Sequence, residues 1–322
     1  MSTATKLDKP GTADPGSVLQ AQRIKFPPYD LEVGPLGHLH QERHRLNSLQ
    51  FDHFDVRLMS ATIGAELSGI DLTSELSDAA IAEIRRALIE FKVIFFRDQA
   101  IDAETHVAFA KRFGELEIHP FIQANSKHKE LVHFAKSANV GGYENGWHSD
   151  VSWRATPSMG AVLHAVEVPP SGGDTLFSDM AAAYEGLDQE TKDKIDGMVA
   201  VHDYTKAFGH MVSDEQKAET QAKFPPVEHP VVRTHPESGK KLLYVNQFFV
   251  DHLVGVSEQE SIELMKKLCR QAELVEYQVR FRWEKDSIAF WDNRAVQHYA
   301  ASDYWPDVRV MERASIIGDK PF

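Results

Sequence analysis

From Phe51 onward, apolar residues recur chiefly at a spacing of two, interrupted by a few stretches of helical period. Residues two apart on a strand share a face, so these runs predict half-buried strands. Asp55–Leu58 and Ala65–Ile70 alternate in this way. Within Lys92–Arg97, the unbroken run Val93-Ile94-Phe95-Phe96 predicts a strand buried on both faces. Further strands are predicted at Ala161–Val166, Thr175–Phe177, Pro230–Arg233, Leu242–Val245, Tyr277–Trp283, Ser287–Trp291 and Val308–Ile317. Ser77 stands as an N-cap before Ile81, Ile84, Leu88 and Phe91, which form a stripe at helical spacing. Ala103–Phe113, Asp179–Tyr184, Gln189–Val199 and Glu258–Gln271 also read as helices. Many short strands with Gly and Pro turns, and a few helices, predict a mainly β fold built on a double-sheet barrel.

Before Phe51 this pattern is absent. Residues 1–50 are polar, carry Pro10, Pro15, Pro27, Pro28 and Pro35, and show no sustained periodicity. They are expected to form a partly disordered arm that wraps the body or a neighbouring subunit. Residues 51–322 are expected to form a single catalytic domain. The polar stretch Phe208–Pro226 reads as a lid or a long insertion, with Glu215–Glu219 a solvated helix face.

Composition adds exclusions. Of 322 residues, 42% are hydrophobic and 26% charged, as in ordinary globular chains. The net charge of −13 argues against nucleic acid or an anionic membrane as partner. It also requires any anion site to be basic against the global field. There is no apolar run long enough to span a membrane and no apolar signal-peptide core, so a soluble, cytoplasmic protein is expected. The single Cys269 falls in a helical pattern and reads as a small buried apolar residue, not a nucleophile.

Candidate chemistry begins at Trp147-His148-Ser149-Asp150, between a Gly-rich loop and Val151-Ser152-Trp153, which alternates like a strand. On a strand, His148 and Asp150 would point to one face and could converge on one ion. His298, after the apolar strand ending at Trp291, offers the third ligand of a two-His-one-carboxylate triad. Such a triad leaves part of an Fe(II) coordination sphere open. Eleven residues further lies Arg309, then Met311 and Arg313 on the same predicted face. Planar guanidiniums suit carboxylates and other oxyanions, and two of them directed inward in an acidic protein require anions. Thr175, in Gly172-Gly173-Asp174-Thr175, could share a carboxylate with Arg309. The bland alternatives are an ion pair of Arg313 with Asp319 or Glu312, and a hydrogen-bonded core histidine at His119. His38 and His40 read as surface or subunit contacts.

These motifs, with Ile118-His119-Pro120, Leu243-Tyr244-Val245-Asn246 and Trp291-Asp292-Asn293-Arg294, occur in an order that resembles the taurine-type Fe(II)/2-oxoglutarate dioxygenases. That family includes alkylsulfatase and aryloxyalkanoate dioxygenases, and the resemblance runs from about residue 51 to the C-terminus. It implies a double-stranded β-helix, or jelly roll, and a homodimer or homotetramer. It implies His148, Asp150 and His298 as iron ligands, and Thr175 with Arg309 for the distal carboxylate of 2-oxoglutarate. Arg313, His119 and the backbone N–H of Val151 match the cradle for a sulfonate, and Phe208 and Phe249 match aromatic residues of that pocket. Their bland reading is core packing. The implied reaction uses Fe(II), 2-oxoglutarate and O2 to hydroxylate the carbon beside an anionic group. It releases succinate and carbon dioxide, and then sulfite or sulfate with an aldehyde. Ile122, Glu144 and Trp153 depart from the taurine pattern: Glu144 could still pair with an ammonium group, but Ile122 makes the site more apolar, and a larger or more apolar sulfonate, an alkyl sulfate or a carboxylate would fit as well. A carboxylate or aryloxyalkanoate oxidation, and a non-catalytic metal-binding sensor, are the rival functions.

Overall fold

The computed structural model describes residues 24–26, 31–120, 122, 124–142, 144–209 and 213–322. Two sheets face each other. The larger has seven strands in the order Asp55–Leu58, Ala65–Ser68, Val93–Phe96, Ile288–Asp292, Ser158–Glu167, Arg309–Ile317, Leu131–Lys136. All neighbours in it are antiparallel except Ala65–Ser68 with Val93–Phe96. The facing sheet is Gln278–Phe281, Thr175–Asp179, Val296–Ala300. A bridge between His148 and His298 extends it by one residue pair. This is the jelly roll that the strand pattern and the family resemblance led us to expect.

The alternation of the sequence explains how the layers meet. Val93 and Phe95 point between the sheets, where Phe95 stacks on Phe281 at 4.0 Å and Phe177, Val279, Ala289 and Met311 complete the filling. Ile94 and Phe96 point outward to a second core. The helices Asp78–Phe91 and Ala103–Lys111 cover it with Ile84, Leu88, Phe91, Val107 and Phe109. Buried on both faces, this strand needs no polar alternation. Ser77 caps the first helix by accepting the Ala80 N–H at 3.1 Å. Cys269 is buried, and burial pushes its thiol up to about 12, so it is inert as expected.

Several elements differ from the sequence reading. The helix begun at Gln189 ends at Ile195, where Gly197 takes a left-handed φ of 68°, and Val199–His202 is a strand. Within residues 1–50, Leu39–Asn47 is a helix that buries Leu39 and Leu46; the expectations for residues 1–23 and 27–30 lie outside the described residues. Asp214–Lys223, in the stretch read as a lid or insertion, is a helix. Val151-Ser152-Trp153 is not a strand. Asp150 opens a turn closed by Arg154 N–H to Val151 O at 2.9 Å, with Val151 at φ 47°. Apolar alternation over three residues could not separate a buried turn from a buried strand.

Candidate active site

Residues of both sheets line a cavity of about 730 Å³. Its lining includes every candidate site residue named above, namely His148, Asp150, His298, Thr175, Arg309, Arg313, His119, Val151, Phe208 and Phe249, with Ile122 and Glu144. Trp153 lies outside it, fully buried against Tyr204 and Phe224.

One ligand atom from each of His148, Asp150 and His298 lies within 4.8 Å of the others. His148 Nε2 is 3.9 Å from Asp150 Oδ1, and His298 Nε2 is 4.0 Å from Asp150 Oδ2. The backbones of the two histidines exchange hydrogen bonds at 3.1 and 2.8 Å, so the bridge that extends the sheet also fixes their spacing. His148 Nδ1 sits 2.8 Å from Gly146 O, which makes it the protonated nitrogen and leaves the Nε2 lone pair for a metal. Asn293 clamps Asp150: its Oδ1 accepts the Asp150 N–H at 2.8 Å and its Nδ2 donates to Asp150 O at 2.9 Å. Burial raises the Asp150 pKa, but Arg313 first, then His298 and His148, outweigh it and hold the carboxyl at about 2. Burial, with His148 next, lowers His298 to about 3. Both imidazoles and a carboxylate on one rim fit the donor set of a non-haem Fe(II) centre.

Arg309 lines the same cavity. It is buried, yet its Nε and Nη2 have no hydrogen-bond partner among the described residues. Two orphaned guanidinium donors would be costly unless an anion meets them. Thr175 Oγ1 accepts the Trp283 indole N–H at 2.9 Å, so its own proton is available to a carboxylate. The rings of Tyr304 and Trp283 flank the guanidinium at 5.8 and 5.9 Å. Gly173, at φ 70°, leaves the space: a Cβ there would meet Arg309 Cδ at 3.2 Å.

Arg313 lines the cavity beside Asp150, with its guanidinium 5.1 Å from the Phe134 ring. Its Nη1 donates to Asp150 Oδ2 at 2.8 Å, and its Nε is unpartnered among the described residues. Neither bland partner has it, since Asp319 pairs with Arg233 and Glu312 accepts from Asn125. His119 combines its two readings. Its Nδ1 accepts the Ile122 N–H at 3.1 Å, which puts the proton on Nε2, and the ring lines the cavity. Burial, then Arg313, lowers its pKa to about 3, so it is neutral. Phe208 and Phe249 lie 6.1 Å apart on the wall. Phe248, which sequence reasoning missed, is closer to the metal residues, its ring 5.0 Å from that of His148. Lys136, also missed, is cross-strand from Arg309 and pairs with Glu144 at 3.0 Å. Its strand, Leu131–Lys136, sets His133 and Lys136 among apolar residues and gave no clean alternation.

A jelly roll with two imidazoles and a carboxylate beside an arginine that awaits an anion defines a non-haem iron oxygenase dependent on a 2-oxo acid. More particularly, the chain belongs to the taurine catabolism dioxygenase TauD, TfdA family, whose model matches residues 55–315. It is 34% identical over 83% of its length to the alpha-ketoglutarate-dependent sulfate ester dioxygenase of Pseudomonas putida, covering 90% of that protein. It is 34% identical over 79% of its length to the alpha-ketoglutarate-dependent 2,4-dichlorophenoxyacetate dioxygenase of Cupriavidus pinatubonensis, covering 94% of it. The crystal structure of a taurine dioxygenase from Burkholderia xenovorans is 38% identical, with a TM-score of 0.74, over 84% of this chain and 91% of that one. The protein is an Fe(II)- and 2-oxoglutarate-dependent dioxygenase, as the motifs implied. No helix among the described residues is long and apolar enough to cross a membrane.

Proposed function

We propose that this dioxygenase hydroxylates the carbon next to the anionic group of an alkyl sulfate or sulfonate. The observation that carries this reading is Arg313, a second buried guanidinium in the cavity, in contact with Asp150 and 5.1 Å from the Phe134 ring. In this reading His148, Asp150 and His298 hold the iron, and Thr175 with Arg309 takes the distal carboxylate of 2-oxoglutarate. Iron and 2-oxoglutarate supply the oxidising chemistry when bound. The chain supplies position. Arg313 and neutral His119, with the Val151 N–H, fix the substrate's anion so that one neighbouring C–H faces the metal residues. Phe208, Phe248 and Phe249 keep the tail in an apolar, water-poor wall. Hydroxylation of a sulfate-bearing carbon gives an unstable ester that loses sulfate and leaves an aldehyde.

An uncharged tail fits better than an ammonium. Glu144 already faces Lys136, and Ile122 adds an apolar side chain. The name of the Pseudomonas putida relative supports a sulfate ester. The name of the Cupriavidus pinatubonensis relative supports the second reading, an aryloxyalkanoate or other carboxylate held by the same arginine. The proposal includes a homodimer or homotetramer, which light scattering on the purified chain tests, in the cytoplasm, which cell fractionation tests. The substrate is tested with Fe(II), 2-oxoglutarate and oxygen against a panel of alkyl sulfates, sulfonates and carboxylates. Succinate with stoichiometric sulfate or sulfite is expected. Release of a phenol, or retention of a hydroxy acid, replaces the first reading with the second. His148→Ala should abolish succinate formation, and unchanged turnover would sink the triad assignment.

A further inference from the structure

We propose that Asn246 is a positioning residue that locks the aromatic wall of the cavity to the turn carrying Asp150. Asn246 lies outside the cavity and is 2% exposed. Its Oδ1 accepts two backbone N–H groups, from Phe248 at 3.1 Å and Phe249 at 3.0 Å. That is an Asx cap, and by itself it shapes only the turn that presents the two rings. The other end of the same amide does more. Its Nδ2 donates to Ser152 Oγ at 3.1 Å, and Ser152 is fully buried, two residues after Asp150.

Ser152 is held from a third direction by His202 Nδ1 at 3.0 Å. Burial keeps His202 well below its ordinary pKa and so neutral. His229, on the strand paired with that of His202, holds the same turn through Arg154 O at 2.9 Å. Asp203, next after His202, donates its N–H to Phe249 O at 2.8 Å. The aromatic wall and the Asp150 turn therefore meet at one hydrogen-bonded knot. The knot has consequences at the metal residues. Phe248 sits 5.0 Å from the His148 ring, and Gly146 is bare where a Cβ would lie 2.1 Å from Phe248 Cε2. Val151, between Asp150 and Ser152, is left-handed at φ 47°, a conformation its branched side chain resists, so something outside the turn must hold it. Asn246 and Ser152 are placed to do so.

The proposal rests on the reading of His148, Asp150 and His298 as metal ligands. The test therefore begins with metal affinity, which needs no substrate. Mn(II) titrations followed by the EPR signal of the free ion compare the parent with Ser152→Ala, Asn246→Ala and the double variant. Ser152→Ala is the sharper lesion, because it leaves the Asx cap intact. Direct outer partners of metal ligands are worth about 10–100-fold in affinity or activity. One bond further out, each single variant is expected to bind Mn(II) about three- to tenfold more weakly. The double variant should lose less than the product of the two single losses, because the Asn246–Ser152 bond is common to both changes. With hexyl sulfate as substrate, sulfate released per succinate formed should fall at least about threefold in the same variants. A purely structural role would lower thermal stability and leave Mn(II) affinity and that ratio at parental values. Such a result, or losses that multiply in the double variant, overturns the proposal. Should Asn246→Ala not fold, Ser152→Ala decides alone. A parent that binds no Mn(II) defeats the ligand reading itself, and one that binds Mn(II) but ignores hexyl sulfate defeats only the substrate reading.

Discussion

Arg313 is bonded to the one carboxylate of the triad, and that single contact changes what its removal should do. Asp150 and Arg313 are 6% and 7% exposed, so each charge depends on the other for compensation. Breaking a buried pair by deleting one partner typically costs about 3–5 kcal/mol. Arg313→Met is therefore expected to destabilise the metal-free protein by about that much. A divalent cation can take over the compensation, so Mn(II) should raise the variant's melting temperature more than the parent's. An equal Mn(II) shift in both would show that Asp150 does not meet the metal. This contact was not legible in the sequence. Alternation put Arg309, Met311 and Arg313 on one face, and the structure agrees, but the loop approach of Asp150 is a long-range fact that no local pattern encodes. The residue types of the cluster and their order could be read from the sequence. Their convergence needed a bridge between His148 and His298 that joins positions 150 residues apart.

At the scale of elements, strands buried on both faces were the most readable, because such short unbroken apolar runs, rich in β-branched and aromatic residues, are too short to be helices. Val93–Phe96 and Ile288–Asp292 fell where they were expected. Val296–Ala300, which carries His298, was not predicted as a strand, since Gln297, His298 and Tyr299 hide its buried character. Two element ends carry the site and can be probed. In the loop entering Thr175–Asp179, Gly173→Ala puts a Cβ at left-handed φ and against Arg309. A cost of about 1–2 kcal/mol in stability is expected, with a several-fold rise in the KM for 2-oxoglutarate as Arg309 shifts. Lost stability with an unchanged KM would separate Arg309 from the co-substrate. At the end of Ile288–Asp292, Asp292 accepts from His235 at 2.9 Å and from Arg294 at 2.8 and 2.7 Å. Burial opposes its charge, but Arg294 outweighs burial and holds the carboxyl well below its usual range. A depressed carboxylate contributes stability above its unfolded pKa of about 4 and loses that contribution as pH falls towards its folded value. Asp292→Asn should thus cost about 3 kcal/mol or more at pH 7, and the gap to the parent should narrow steadily below about pH 4. A gap independent of pH in urea unfolding would mean that Asp292 is not the charged partner of Arg294.

On the scale of the whole molecule, the outside and the inside of this protein have opposite signs. The chain carries a net charge of −13, while the cavity lining sets Lys136, Arg309 and Arg313 against Asp150 and Glu144, before any divalent metal adds to the positive side. An anion on its way in first meets the global field and only later the buried guanidiniums. The two fields are screened differently. At about 10 mM salt the Debye length is about 30 Å, so an approaching anion senses the net charge of the whole particle; at physiological salt it is about 8 Å, and only groups near the mouth count. Buried arginines, 7–8% exposed, are shielded from bulk ions and keep most of their attraction. Moderate sodium chloride is therefore expected to raise kcat/KM for an anionic substrate between about 10 and 150 mM, the reverse of enzymes that steer substrates with a charged surface of the opposite sign. The dependence should be steeper for 2-oxoglutarate, a dianion, than for a monoanionic sulfate ester, since the repulsive work scales with charge. The measurement is kcat/KM for both co-substrates across a salt series, with sulfate salts avoided because they mimic the substrate's anion. If both values fall as salt rises, the local field of Lys136 and the arginines reaches the solvent and governs entry. If the sulfate ester alone falls, chloride competes at Arg313 specifically, and a series with a bulkier anion will restore the predicted sign.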